Sequence, residues 1–267
     1  MVKVPGWSHL PWLIAAFSTR APGLSQAYGP DEQNLGWTAD DDPAVVAKNR
    51  QRFFEAVTGK ANPAFYTLRQ VHSGLIHDLE KEGLAEATGK PGVEGDGLIT
   101  TRPDRLLGIL TADCVPVLLA DKRTRTIAAF HAGWRGTLAG IVQRGVETIS
   151  WRHGSQPEDL VAAIGPAIRP CCFNVGKEVE SEFSTAFPYA AELFSQQETA
   201  DGCGKLQLDL QEANRRQLLE AGLASGNITT IEECTACSRF PEGNRKYFSY
   251  RAETGRTGRM LSVIGVH

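Results

Sequence analysis

Apolar positions along the chain fall into two kinds of pattern: short β-type runs bounded by turn residues, and stripes at helical spacing. The short runs predict strands at residues 14–19, 98–101, 106–111, 160–164, 228–234, 247–251 and 260–266, with residues 65–72 extended. A helix is expected over residues 43–57, where Asp42 is suited to cap the first turn and Pro43 to occupy the first helical position. Further helices are expected at residues 177–186 and 210–221. Polar or Gly/Pro-containing segments at 21–41, 81–97 and 165–174 read as loops. Strands and helices interleave without repeats or an obvious linker, which predicts one α/β-type domain with a mixed sheet over residues 1–267.

The stretch ADCVPVLLADKRTRTIAAFHAGWRGTLAG, residues 112–140, is the part the rest is organised around. Two apolar runs, 115–120 and 126–130, flank a charged turn and predict a hairpin. A turn centred between Lys122 and Arg123 sets Leu119 against Thr126 and Cys114 against His131. Facing residues in an antiparallel ladder hold their Cβ atoms about 4.5–5.5 Å apart. Pro116 donates no ladder hydrogen bond, so its strand is expected at an edge or bulged. Beyond His131, the positions Leu138, Ile141, Val142, Gly145 and Ile149 share one helical face, with Thr137 as the expected cap.

Three side chains carry the candidate chemistry: His72, Cys114 and His131, each at a predicted strand end. Two imidazoles and a thiolate suit zinc with a fourth position left open, and zinc lowers the pKa of a bound water to about 7. Asp113 adjoins Cys114 and is a candidate proton carrier, although a regular strand would point it to the opposite face. The same residues also read as a nucleophilic Cys114–His131 pair, with Asp113 or another group orienting the imidazole. Arg135 follows in a glycine-flanked turn and is a candidate anion holder, and Trp134 or Phe248 a candidate surface for a flat base. The other histidines, His9, His77, His153 and His267, read as surface residues, as do most of the late arginines. Cys234 and Cys237 form half of a zinc-ribbon pattern without a second half, a structural zinc site from Cys203, Cys234 and Cys237 is a poor alternative, and Cys171 and Cys172 are adjacent and read as a poor chelating pair.

Totals narrow the classes. A formal charge of −3 without a basic block argues against nucleic acid. The first twenty residues hold a short apolar run broken by Pro11, too short for a membrane span, and six scattered cysteines do not make a disulfide framework. A cytoplasmic protein with reduced thiols is expected. Six histidines without a His-x-His pair, and only Met1 and Met260 as possible thioether ligands, argue against a multicopper oxidase.

The motifs TLRQVHSG (67–74), GDGLITT (95–101), TADCVPVLLAD (111–121), FHAGWRGT (130–137), GPAIRPCCFNVGKEV (165–179) and YFSYRAETGRTGRM (247–260) resemble the YfiH-type family. That family carries a "polyphenol oxidase, laccase domain" label and is also called purine nucleoside phosphorylase. FSTR (17–20), NLG (34–36) and NR (49–50) fit it too, so the resemblance covers nearly the whole chain. It implies a layered α–β sandwich and a zinc ion on His72, Cys114 and His131, the residues of its QVH, DC and HAGWRG motifs. The implied activities are phosphorolysis of adenosine, inosine and guanosine, cleavage of methylthioadenosine, and deamination of adenosine. An alternative carried by the resemblance is editing of peptidoglycan precursors, which would suit Cys114 as the nucleophile of a hydrolase or amidase. The implied partners are purine nucleosides and phosphate, compatible with a monomer. Ala21-Pro22-Gly23 departs from the family's glycine-rich turn after FSTR.

Overall fold

The structure, a computed structural model, describes residues 1–82, 91–197 and 205–267. In chain order come β1 (Val2–Lys3), β2 (Leu13–Phe17), α1 (Pro43–Thr58), β3 (Ala64–Tyr66), β4 (Ile76–Asp78) and α2 (Leu79–Glu82). Next are β5 (Gly97–Thr100), β6 (Arg105–Thr111), β7 (Val115–Asp121), β8 (Ile127–Ala132), α3 (Trp134–Leu138), α4 (Ile141–His153) and β9 (Leu160–Ile164). The last are α5 (Lys177–Ala186), β10 (Phe194–Gln197), β11 (Lys205–Leu208), α6 (Leu210–Glu220), β12 (Ile228–Thr230) and β13 (Met260–Val266).

Two mixed sheets carry the fold, ordered β1-β2-β13-β6-β3 and β12-β9-β7-β8-β5-β4, beside a small β10-β11 ladder. Alternation along each strand assigns its side chains to two faces. Leu118, Ala120, Ile127 and Ala129 from the six-stranded sheet pack against Phe17, Leu107, Ile109 and Ile264 from the five-stranded one. Val117, Leu119, Ala128 and Phe130 face the other way, onto Ile141, Val146 and Ile149 of α4, Phe183 of α5 and Ala213 of α6. On the outer face of the five-stranded sheet, Phe65, Leu261 and Val263 meet Phe53 and Phe54 of α1. The result is a helix–sheet–sheet–helix sandwich, the layered mixed α/β arrangement expected. Strand β7 is buried at all seven positions because both of its faces are covered.

Several local expectations are corrected. The β7–β8 register pairs Pro116 with His131 and Leu119 with Ala128, two residues away from the predicted pairing. The turn is wider because Asp121 accepts hydrogen bonds from the Arg123 and Thr124 amides and Arg125 takes φ 60°. A two-residue shift keeps each side chain on its expected face. Strand β7 is central, not an edge. Pro116 is tolerated because the His131 N–H donates to Asp96 on the far side, while the Pro116 carbonyl accepts from Gly165.

The predicted helix after His131 is two helices, broken at Gly140 with φ 67°. Thr137 is no cap: it lies inside α3, its hydroxyl bonded to Asn214 and its carbonyl to Gln217, both on α6. Residues 247–251 form no strand, since the Phe248 amide goes to Met260 Sδ, the Ser249 amide to Glu253 and the Arg251 amide to Asp113. Strand β3 ends at Tyr66, and β12 is shorter than expected. Strands β1, β4, β10 and β11 have too few residues for a readable period. Within the predicted loop 81–97, the start belongs to α2 and residues 83–90 lie outside the described residues, as does Cys203.

Candidate metal centre

The loop that carries His72 leaves β3 and is held without being a strand. The Gln70 carboxamide bonds both the carbonyl and the amide of Leu110 on β6, at 2.7 and 2.8 Å. His72 then takes φ 59°, a left-handed conformation that few residues other than glycine adopt. Cys114 sits just before β7, after Asp113 at φ 96°, and His131 lies on β8. The three side chains converge, with ligand atoms within 4.8 Å of one another. His72 is exposed, Cys114 half-buried and His131 buried, so the cluster opens to one side.

Asp96 organises this cluster and was not singled out from the sequence. Its Oδ1 lies 2.8 Å from His131 Nδ1, and its oxygens accept the His72 amide at 3.0 Å, the Ser73 amide at 2.7 Å and the Ser73 hydroxyl at 2.7 Å. One carboxylate therefore fixes the His72 loop and the ring of His131, turning Nε2 toward Cys114. The available signal was GDG at 95–97, an acidic residue between two glycines at the mouth of an apolar strand. Close approach also explains Gly133: a Cβ there would lie 3.0 Å from His72 Cδ2 and 3.2 Å from Cys114 Sγ.

The electrostatics follow. Burial raises the Cys114 thiol, but the charge and hydrogen bond of His131, then those of His72, outweigh it and bring the thiol to about 6. Burial lowers His131, yet the Cys114 charge and the Asp96 hydrogen bond carry it up to about 9. Asp96, despite burial, is held at about 2 by His131 and Ser73. Such a site favours a thiolate and demands a positive partner, which a divalent cation also supplies. Two imidazoles, one of them oriented by a carboxylate, and a thiolate fit a zinc-type ion.

Asp113 is buried, and its carboxylate is occupied: Oδ1 accepts from the Thr235 hydroxyl at 2.6 Å and Oδ2 from the Arg251 amide at 2.7 Å. Beside the cluster lies a cleft of about 440 Å³ lined by His72, Cys114, Trp134, Arg135, Phe173, Tyr250, Arg251 and Arg259. Trp134 and Arg135 both line this cleft, Arg135 from within α3 rather than from the expected turn, with the guanidinium 4.1 Å from the indole ring centre. Phe248 is fully buried beneath Arg20 and takes no part. Phe173, Tyr250, Arg251 and Arg259 come from segments whose proximity to Cys114 no local pattern reveals. His77 and His153 are half-buried and paired with Glu82 and Asp78. Met260 Sδ accepts the Phe248 amide.

With the motifs in place, the comparison with known proteins is direct. Residues 14–267 match the family described as "Multi-copper polyphenol oxidoreductase laccase". The chain belongs to this family, the YfiH type. It is similar to "Purine nucleoside phosphorylase YlmD" of Geobacillus stearothermophilus, at 36% identity over 94% of this chain and 89% of the relative. It is similar to "Purine nucleoside phosphorylase" of Deinococcus radiodurans, at 39% identity over 94% and 88%. The crystal structure of YfiH from Bacillus licheniformis, described as a hypothetical protein, superposes with a TM-score of 0.86 at 32% identity, covering 98% and 94% of the two chains. In this YfiH-type chain no helix among the described residues is long and apolar enough to cross a membrane.

Proposed function

We propose that this YfiH-type chain is a zinc-dependent purine nucleoside enzyme. It would cleave adenosine, inosine, guanosine and methylthioadenosine by phosphorolysis and deaminate adenosine. The observation that carries this reading is the His72–Cys114–His131 cluster opening into a cleft with both aromatic and arginine walls. The relatives named purine nucleoside phosphorylase support the phosphorolysis in this reading.

Zinc, held by His72, Cys114 and His131, would supply Lewis acidity in the cleft. The chain's own residues do the rest. Trp134, Phe173 and Tyr250 offer an apolar wall for a purine, and the cleft volume lies within the range of small-molecule sites. Arg135 and Arg251 are exposed cations in the same cleft and would hold phosphate against the ribose. In phosphorolysis a phosphate oxygen bonds to the anomeric carbon as the bond to the purine nitrogen breaks and a proton from the phosphate passes to the departing base, giving free base and ribose 1-phosphate, or 5-methylthioribose 1-phosphate from methylthioadenosine. In deamination water adds its oxygen at C6 and ammonia leaves. Asp113, with both oxygens engaged, acts by positioning: it ties Thr235 and the Arg251 backbone to the segment that presents Cys114.

A second reading has its own observation. The Cys114 thiol near 6 beside His131 near 9, oriented by Asp96, is also the arrangement of a cysteine hydrolase. A nucleophilic Cys114 would suit an amidase acting on peptidoglycan precursors. Chelation separates the two. Removing the metal, or substituting His131→Ala, abolishes nucleoside turnover on the zinc reading. Full turnover in either case contradicts it. An amidase would survive chelation and be lost on alkylation of Cys114.

A further inference from the structure

A second cluster of metal-binding side chains lies apart from the cleft. Cys171 and Cys172 follow Pro170 in the loop after β9, and Cys234 and Cys237 follow β12. The two loops are laced together: the Thr235 amide donates to Ala167 O at 3.0 Å, and the Ala167 amide to Glu233 O at 3.3 Å. This brings all four sulfurs within 4.8 Å of one another. The pair read as poor chelators therefore meets the pair read as half a ribbon. None of the four lines the cleft beside Cys114.

We propose that Cys171, Cys172, Cys234 and Cys237 bind one zinc-type divalent ion as a tetrahedral four-thiolate site. A tetrahedron with metal–sulfur bonds of about 2.3 Å has edges of about 3.8 Å. Cys171 Sγ and Cys237 Sγ are 3.8 Å apart. A disulfide would need about 2.05 Å, so this contact is not a covalent bond. Sulfurs this close enclose a single ion, and four soft ligands in tetrahedral array select zinc over oxygen-loving cations.

The surroundings suit a thiolate centre. The Arg169 amide donates to Cys234 Sγ at 3.5 Å, and the Ala236 and Cys237 amides point at the same sulfur. Burial opposes ionisation of Cys234, but these three amides lower its thiol below the ordinary value. Cys171 is pushed up to about 11 by burial and by Cys234 beside it, and Cys172 also rises. Cys171 and Cys172 resist ionising where they are buried against Cys234, and a divalent ion bound between the sulfurs would offset that opposition as the thiols release their protons. Cys171 and Cys237 are exposed, which gives the ion a path in.

The site would act on the fold. It staples the two loops that hold Asp113, whose carbonyl accepts the Ile168 amide and whose carboxylate accepts the Thr235 hydroxyl. This inference is independent of the proposed nucleoside chemistry.

The test uses the full chain loaded with cobalt in place of zinc. A Cys114→Ser chain, crippled at the His–Cys–His cluster, should still bind one cobalt with strong thiolate-to-metal charge-transfer absorption. A Cys114→Ser/Cys234→Ser/Cys237→Ser chain should lose that band. No charge-transfer band in the Cys114→Ser chain, or a band undiminished in the triple variant, overturns the site. A measurement on the unsubstituted chain guards against misfolding of the variants. Alkylation read by mass spectrometry should spare Cys171, Cys172, Cys234 and Cys237 when zinc is bound and modify them after chelation. Equal labelling of exposed Cys171 and Cys237 with and without zinc overturns the proposal. So does a Cys171–Cys237 disulfide, or acid-labile sulfide in the purified protein.

Discussion

Asp96 Oδ1 lies 2.8 Å from His131 Nδ1 while the same carboxyl group takes the His72 amide, so one buried side chain orients two of the three clustered residues. Partners of this kind set ring orientation and ligand basicity. Asp96→Asn should weaken zinc binding at the cluster about 10–100-fold, read by competition with a metallochromic chelator. Unchanged affinity would show that the hydrogen bond has no part in holding the ion.

Acid stability of the metal-free chain should report the same carboxylate. Asp96 is held at about 2 when folded, against about 3.9 for a free aspartate. A depressed folded value stabilises above the unfolded one, and that stability is lost as pH falls from about 4 to 2. The contribution is about 2 kcal/mol. Urea midpoints measured between pH 5 and 3 should fall less steeply in Asp96→Asn than in the parent.

Cys114 offers a direct probe of its setting. In the metal-free chain, alkylation of Cys114 should rise with a midpoint near pH 6, well below an ordinary thiol at about 8.5. Zinc should then block it. A midpoint at the ordinary value, or no protection by zinc, would count against the ligand role.

Gly133→Ala tests close approach. The added carbon would stand 3.0 Å from the His72 ring and 3.2 Å from Cys114 Sγ, forcing the two side chains apart. Metal binding and turnover should fall at least tenfold while circular dichroism stays native, because the surrounding strands do not depend on that ring.

The double-layered core makes its own prediction. Leu118 is fully buried between the two sheets. Leu118→Ala should cost about 2–5 kcal/mol, with Tm falling roughly 2–4 °C for each kcal/mol.

Much of this was legible in the chain, and the limits have physical causes. His72, Cys114 and His131 stood out because each marks a strand end, and they do converge. The hairpin itself was readable, but its register was not: Asp121 and the left-handed Arg125 widen the turn, and apolar alternation is unchanged by a two-residue slip. Pro116 suggests an edge strand by its missing donor alone, but in the sheet the facing His131 N–H donates to Asp96 O instead, a pairing no local pattern shows. Asp96 reaches His131 across 35 residues of chain, and Cys171 meets Cys237 across 66. Such meetings belong to the sheet order, which no local period encodes. Thr137 resembled a cap by type and position, yet Asn214 and Gln217 of a distant helix claim it.

The most direct measurement is incubation of zinc-loaded protein with adenosine, with and without phosphate, followed by mass spectrometry of the products beside a Cys114→Ala control. The account predicts adenine and ribose 1-phosphate only with phosphate, inosine without it, and neither from the control. Absence of every nucleoside product from the intact, zinc-loaded chain would contradict it.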